Sequence, residues 1–314
     1  MHAVTIVDGH LEWREHPDPE PGTGEVLVRV RAAGLNGADR LQVAGLYPPP
    51  PGAPVDIPGL ELAGEVLALG PGANRFAVGD RVMAVVAGGG QAQRAVVNER
   101  HLLPIPDGIG WVEAGGFAEV FTTAHDALFT QAHLSLGERV CVHGAAGGVG
   151  TAGVQLAVAA GASVVATVRN PERHDDVAAL GATVVDPDDF ATHGPFDVVL
   201  ELVGARTCLR RRRRSGHRRA HRRDRGRRRR QGRANLLALM GARGSICGST
   251  LRARSLEDKA DAARRVERHV LGLLADRTVQ VPIAATYAMT DAAAAYERFA
   301  AGNKFGKIIL EDPT

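Results

Sequence analysis

Apolar and polar positions alternate over Val26–Arg31 (VLVRVR), and two further short apolar runs fall at Glu65–Leu69 and Arg81–Val86. A period of two residues is that of a strand with one face buried. Gly-Pro-Gly-Ala at 70–73 and Val-Gly-Asp at 78–80 separate these runs as turns. Tyr47-Pro-Pro-Pro-Pro-Gly52 is an extended loop, because successive prolines fix φ and have no amide hydrogen to donate. The first hundred residues therefore predict a compact, mostly β unit.

From about residue 112 the pattern changes. Glu113–Leu128 is alanine-rich with helical spacing, and Val140–His143 is a short buried strand. The glycine run 144–150 follows, then helical spacing over Thr151–Ala160. Next come a strand at Ser163–Thr167, a helix at Pro171–Leu180 and strands at Thr183–Val185 and Phe196–Leu200. Strands alternating with helices predict a parallel, doubly wound sheet of order 3-2-1-4-5-6. The tail predicts helices at 256–275 and 291–301 and a last strand at Gly306–Leu310. The expected fold class is α/β.

Gly144-x-x-Gly147-x-x-Gly150 lies between a predicted strand and a predicted helix. One glycine permits the tight turn, one lets backbone approach a pyrophosphate, and one lets helix pack on strand. The helix N-terminus adds unpaired N–H groups and positive dipole. Ala145, Ala146, Gly148 and Val149 complete this candidate cofactor loop. An NAD-binding chain places an acidic residue at the end of the next strand. Here that place reads Val168-Arg169-Asn170-Pro171-Glu172-Arg173. Arg169 and Arg173 suit a 2′-phosphate, so NADPH is expected over NADH, with Glu172 as a competing charge.

Composition narrows the class. The 314 residues allow two domains, and the 38 glycines have no three-residue period, which excludes collagen. No apolar run reaches the roughly 18 residues of a membrane helix. The first residues, MHAVTIVDGHLEWREH, carry charge where a signal peptide is apolar. Three scattered cysteines make no disulfide framework, so a reducing cytoplasm is expected. The net charge of +3 is a composite: residues 206–233 hold 16 Arg and one Asp, a local +15, which leaves −12 on the remainder. The basic character belongs to one segment of an otherwise acidic chain.

Several stretches together resemble the zinc-free quinone oxidoreductases of the medium-chain dehydrogenase/reductase superfamily. They are Ala33-Gly-Leu-Asn36-Gly-Ala-Asp39, Gly45-Leu-Tyr47-Pro-Pro-Pro, Pro58-Gly-Leu-Glu61-Leu-Ala-Gly64, Val78-Gly-Asp-Arg-Val82, Gly88-Gly-Gly-Gln-Ala-Gln93, Val142–Gly150 and Asn303-Lys-Phe-Gly-Lys-Ile-Ile309. The resemblance implies a GroES-like β-rich catalytic domain from 1–118 and 256–314, and a Rossmann NADPH-binding domain from 119–255. It also implies dimers, and hydride transfer to a quinone or an α,β-unsaturated carbonyl, with enoyl reduction the near alternative. Where zinc relatives carry Gly-His-Glu, this chain has Gly59-Leu60-Glu61; leucine binds no zinc, so no metal is expected. An oxyanion then needs hydrogen-bond donors. Tyr47 is the first candidate, and packing on prolines is its alternative. Asn36 matches an asparagine beside the nicotinamide, and a helix cap is its alternative. Thr123 matches a residue near the cofactor ribose. Leu202-Val203-Gly204 and Gly248-Ser249-Thr250 match two strand-end loops flanking the nicotinamide, and Lys304 a residue near the phosphates. Cys141, His125 and His143 are expected to be structural.

Residues 206–233 depart from the family pattern, which resumes at Asn235-Leu-Leu-Ala-Leu-Met. Retained length with an Arg/Gly/Ala/His vocabulary is what compensated reading-frame shifts in a GC-rich gene encode, and this is the favoured reading. A polyanion-binding insert is the rival. It lacks interleaved aromatics for stacking, so nucleic acid is the disfavoured partner.

Overall fold

The computed structural model describes residues 1–204 and 236–313. The arginine-rich segment, and with it both readings of it, lies outside the described residues.

An antiparallel hairpin opens the chain, β1 (His2–Val7) with β2 (His10–Glu15). A larger sheet follows from β3 (Glu25–Gly34), β4 (Glu61–Leu69), β5 (Arg81–Val85), β6 (Arg94–Asn98) and β7 (Leu102–Pro104). The chain returns to it at the end with β12 (Ile283–Ala288) and β13 (Lys307–Glu311). The order is β12-β13-β3-β4-β5-β7, and β6 also pairs with β3. In β3, Val26, Val28, Val30 and Ala32 are buried while the residues between them reach the surface. Each buried valine stabilises the fold by roughly 1.5–3 kcal/mol. Strands from the early and the late part of the chain therefore share one sheet.

The second sheet is parallel: β8 (Arg139–His143), β9 (Ser163–Thr167), β10 (Thr183–Val185) and β11 (Val198–Leu200). Their order, β10-β9-β8-β11, is the 3-2-1-4 part of the predicted doubly wound sheet; the last two places of that order are not among the described strands. The α/β class, GroES-like plus Rossmann, holds.

The helices are α1 (Gly37–Val43), α2 (Trp111–Gly115), α3 (Ala118–His125), α4 (Gly148–Ala159), α5 (His174–Ala178), α6 (Leu236–Gly241), α7 (Leu256–His269), α8 (Leu271–Ala275) and α9 (Ala292–Ala301). Three expectations are corrected. The helix expected over 113–128 is broken: α2 ends at Gly115, α3 begins after Phe117, and a π-turn over Asp126–Gln131 closes it. The helix expected over 171–180 opens with a 3-10 turn at Pro171–Arg173, because Asn170 caps that turn by accepting from the Glu172 N–H. The helix expected over 256–275 is divided at Val270. Among the described residues, no helix is long and apolar enough to cross a membrane.

Candidate active site

The glycine loop sits between β8 and α4 as its spacing requires. Gly144 has φ +70°, and a Cβ there would press on Val203 Cγ2 at 3.1 Å. Only glycine accepts that backbone without strain. A Cβ on Gly150 would lie 2.7 Å from the Ala145 Cα, so this glycine allows α4 to close on the turn. Gly147 caps α4, leaving the first N–H groups of a twelve-residue helix directed outward. The loop 202–204 is fixed beside it, since Glu201 Oε1 accepts from the amides of Val203 (2.6 Å) and Gly204 (2.8 Å).

The C-terminal β unit docks on this loop. Gly306 N–H donates to Ala146 O at 2.9 Å, and Gly306 bridges to Gly147. Lys304 Nζ donates to Gly306 O at 2.5 Å. Burial, and then the charges of Lys307 and Arg298, press the Lys304 ammonium down to about 8. Arg169 is exposed just past β9 and makes no ion pair among the described residues. Arg173 instead pairs with Asp176 at 3.1 Å. Glu172 and Asn303 meet across the domains through Asn170.

Beneath Gly148 lies a buried charged cluster that motif reading does not single out as a unit. The Lys307 side chain lies against Gly148, its Cδ 2.8 Å from where a Cβ would stand. Its ammonium donates to Glu61 Oε1 (2.5 Å), Asn36 Oδ1 (2.7 Å) and Leu35 O (2.8 Å). Asn36 Nδ2 donates to Glu61 Oε1 (3.0 Å) and Gly34 O (3.2 Å). Both amide hydrogens of Asn36 are thus spent inside the protein. The backbone N–H of Asn36 donates to Asp39 Oδ2 at 2.8 Å, so the residue also serves the start of α1. Burial lifts the Asp39 carboxyl to about 7, against the opposing pull of that hydrogen bond and of Lys307. Glu119 N–H donates to Glu61 Oε2, and Thr123 Oγ1 donates to Glu119 Oε1, both at 2.9 Å. Burial and the Glu61 charge push the Glu119 carboxyl up. Leu60 is itself buried. Glu61 is committed to Lys307, so the donor set here does not fit a zinc ion.

Tyr47 is half-buried, and its hydroxyl lies 3.3 Å from Thr250 Oγ1. This contact joins two candidate segments 203 residues apart. The 248–250 loop itself is corrected: among the described residues no strand leads into it, and residues 242–250 run without regular structure. It is held by side chains instead. Ser249 Oγ donates to Asp126 Oδ2 (2.7 Å), and Arg254 grips the same carboxylate with two bonds, 2.6 and 3.0 Å. Arg252 Nε, Nη1 and Nη2 donate to Ala87 O (2.7 Å), Tyr47 O (3.0 Å) and Gln42 Oε1 (2.5 Å). No local pattern marks Arg252 or the Arg254–Asp126 pair, because the Arg252 partners and Asp126 lie 128 to 210 residues away.

The residues set aside as structural have protein partners. Cys141 is buried in β8, and burial pushes its thiol up to about 12. His143 meets Thr167 Oγ1 at 3.0 Å, and His125 meets His269 at 2.9 Å.

The Alcohol dehydrogenase GroES-like domain family matches residues 22–133, and the Zinc-binding dehydrogenase family matches residues 148–215. The Quinone oxidoreductase of Pseudomonas aeruginosa is 38% identical over 200 residues, 63% of this chain and 60% of that protein. Laid end to end, the two matched families give the chain the domain pair of the medium-chain dehydrogenase/reductase superfamily, and it is similar to a quinone oxidoreductase over about three fifths of either chain. Polyketide synthase GfsB of Streptomyces halstedii is 43% identical over 169 residues, 54% of this chain but 3% of that protein. An alcohol dehydrogenase superfamily protein from Novosphingobium aromaticivorans superposes with a TM-score of 0.83 at 27% identity, over 99% of each chain. The fold is thus a nicotinamide-cofactor-binding one.

Proposed function

We propose that the chain is an NADPH-dependent, zinc-independent oxidoreductase whose acceptor is a quinone or an α,β-unsaturated carbonyl. The observation that carries this reading is the stacking of the glycine loop on the Lys307–Glu61–Asn36 floor, and a tyrosine hydroxyl that meets Thr250 at 3.3 Å accompanies it. When bound, NADPH supplies the hydride. The α4 N-terminus and the amides of 144–150 hold its pyrophosphate, with Leu202–Gly204 and Thr250 at the nicotinamide end and Thr123 at the ribose. Arg169, which has no ion pair among the described residues, receives the 2′-phosphate, and Arg173, already paired to Asp176, assists from the next turn.

Asn36 contributes by shaping the floor, because its amide hydrogens are engaged. Tyr47 supplies the donor: its O–H meets the acceptor oxygen where negative charge develops, and it holds the proton that oxygen takes. The enzyme works as a cytoplasmic homodimer, divided into 1–118 with 256–314 and 119–255.

A screen of NADPH oxidation against 1,4-benzoquinone, a simple enone and a crotonyl thioester tests the reading. Turnover of the quinone or the enone supports it. Turnover of the thioester alone moves the chain to enoyl reduction, the reading that the polyketide synthase match favours. NADPH binding without turnover of any acceptor overturns both.

A further inference from the structure

Arg252 is only 4% exposed, and a buried guanidinium is costly unless a carboxylate balances it. Its three hydrogen-bond acceptors are all neutral: the carbonyls of Ala87 and Tyr47 and the side-chain oxygen of Gln42. No salt bridge compensates it among the described residues. The neighbouring Arg254 differs, since it is neutralised by Asp126 at 2.6 Å. The titrating groups that Arg252 feels are Tyr47, Asp39 and Lys259. Asp39 is itself held up near 7, and Lys259 carries the same sign as Arg252. The guanidinium carbon stands 5.0 Å from the centre of the Tyr47 ring, so the cation lies over the aromatic face.

Three parts of the β unit converge on this one side chain: α1 through Gln42, the proline loop through Tyr47, and the 87–90 turn through Ala87. The residue comes from the segment that also carries Thr250, the partner of the tyrosine hydroxyl. A planar guanidinium spreads its donors over three nitrogens in a fixed fork, whereas an ammonium presents all of its donors from one point.

We propose that Arg252 is the positioning residue of the acceptor site: it fixes the Tyr47 ring and main chain, and its unbalanced positive charge steadies the anion that develops at the Tyr47 hydroxyl. The proposal rests on Tyr47 being the donor, and the site then favours acceptors whose reduction passes through an oxyanion.

A double-mutant cycle tests it, with NADPH and 1,4-benzoquinone as the probes and melting curves to confirm folding. Arg252→Met is expected to lower kcat/KM for the quinone by roughly ten- to a hundred-fold, with the KM for NADPH unchanged. In the Tyr47→Phe background the same change is expected to cost less than about threefold, because the group through which Arg252 acts is gone. Arg252→Lys is expected to fall between wild type and Arg252→Met, since it keeps charge and loses the fork. Should Arg252→Met not fold, Gln42→Leu removes the one side-chain acceptor and leaves the arginine. A loss of the same sign, again absent in the Tyr47→Phe background, is expected. Equal losses in both backgrounds would mean a purely structural arginine and overturn the proposal while leaving Tyr47 its role. A silent Tyr47→Phe with an impaired Arg252→Met overturns the donor reading itself, and the proposal with it.

Discussion

At the scale of single residues, burial decides what each charge does. Arg169 stands exposed beyond β9 with no ion pair among the described residues, whereas Arg173 spends its charge on Asp176. Arg169→Ala is therefore expected to raise the KM for NADPH by roughly tenfold or more and to leave NADH nearly unaffected. Steady-state kinetics with both cofactors checks this; equal losses would show that the arginine does not read the 2′-phosphate. Asp39 illustrates the opposite environment. Burial holds its carboxyl near 7, above its ordinary value of 3.8, so folding takes up a proton. Stability from this group is present at low pH and falls as pH rises from about 4 to about 7. Asp39→Asn keeps an acceptor for the Asn36 amide and removes the titration. Denaturant unfolding of the variant is expected to lack the decline between pH 5 and 7 that the native carboxyl imposes, a difference on the order of 3 kcal/mol over that interval. Identical pH profiles would show that Asp39 ionises normally.

At the scale of elements, regular periodicity was legible and long-range anchoring was not. The alternation of β3 and the strand–glycine–helix spacing around Gly144–Gly150 appear in the structure where they were read. The β1–β2 hairpin, β7 and β12 are short, and β12 is only partly buried, so their patterns are weak. Among site residues, Tyr47 and the glycine loop stand in recognisable local motifs. Lys307 reads as an ordinary strand residue, and its role exists only because β13 brings it to Glu61, 246 positions away. The contact of α3 with α7 is of the same kind. His125 on α3 meets His269 at the end of α7, and burial, with the His269 and Arg265 charges, presses the His125 imidazole down to about 4. Its folded value lies below the unfolded 6.5, so its contribution is complete above about 6.5 and is lost as pH falls toward 4. His125→Gln keeps a hydrogen bond to His269 without that titration. Its melting temperature is expected to fall less than the wild type's between pH 6.5 and 4.5; a parallel fall would place the acid sensitivity elsewhere.

At the scale of the whole molecule, the two sheets meet where Gly306 bridges to Gly147 and Lys307 lies under Gly148. The family resemblance implies a histidine ligand in zinc relatives at the place of Leu60, next in sequence to Glu61. Here the electrostatic position is already filled. The Lys307 ammonium sits 2.5 Å from Glu61 and also takes the Asn36 side-chain oxygen. A divalent cation at this floor would have to displace a buried ammonium, and Leu60 would offer it no donor atom. Among the described residues, no three of His, Cys, Asp and Glu gather in a way that suits a metal. On the proposed reading the acceptor oxygen is met by Tyr47, with Arg252 behind it. NADPH-dependent quinone reduction is accordingly expected to survive exhaustive dialysis against EDTA within about twofold, and added Zn²⁺ is expected not to raise it. The acceptor range provides a second reading of the same point. A simple saturated ketone, which is a poor hydride acceptor without a strong Lewis acid, is expected to react far more slowly than 1,4-benzoquinone. Activity lost to EDTA and restored by Zn²⁺ would require a metal at this floor and would remove Tyr47 and Arg252 from the centre of the chemistry, and ketone turnover rivalling the quinone would overturn the expected acceptor range.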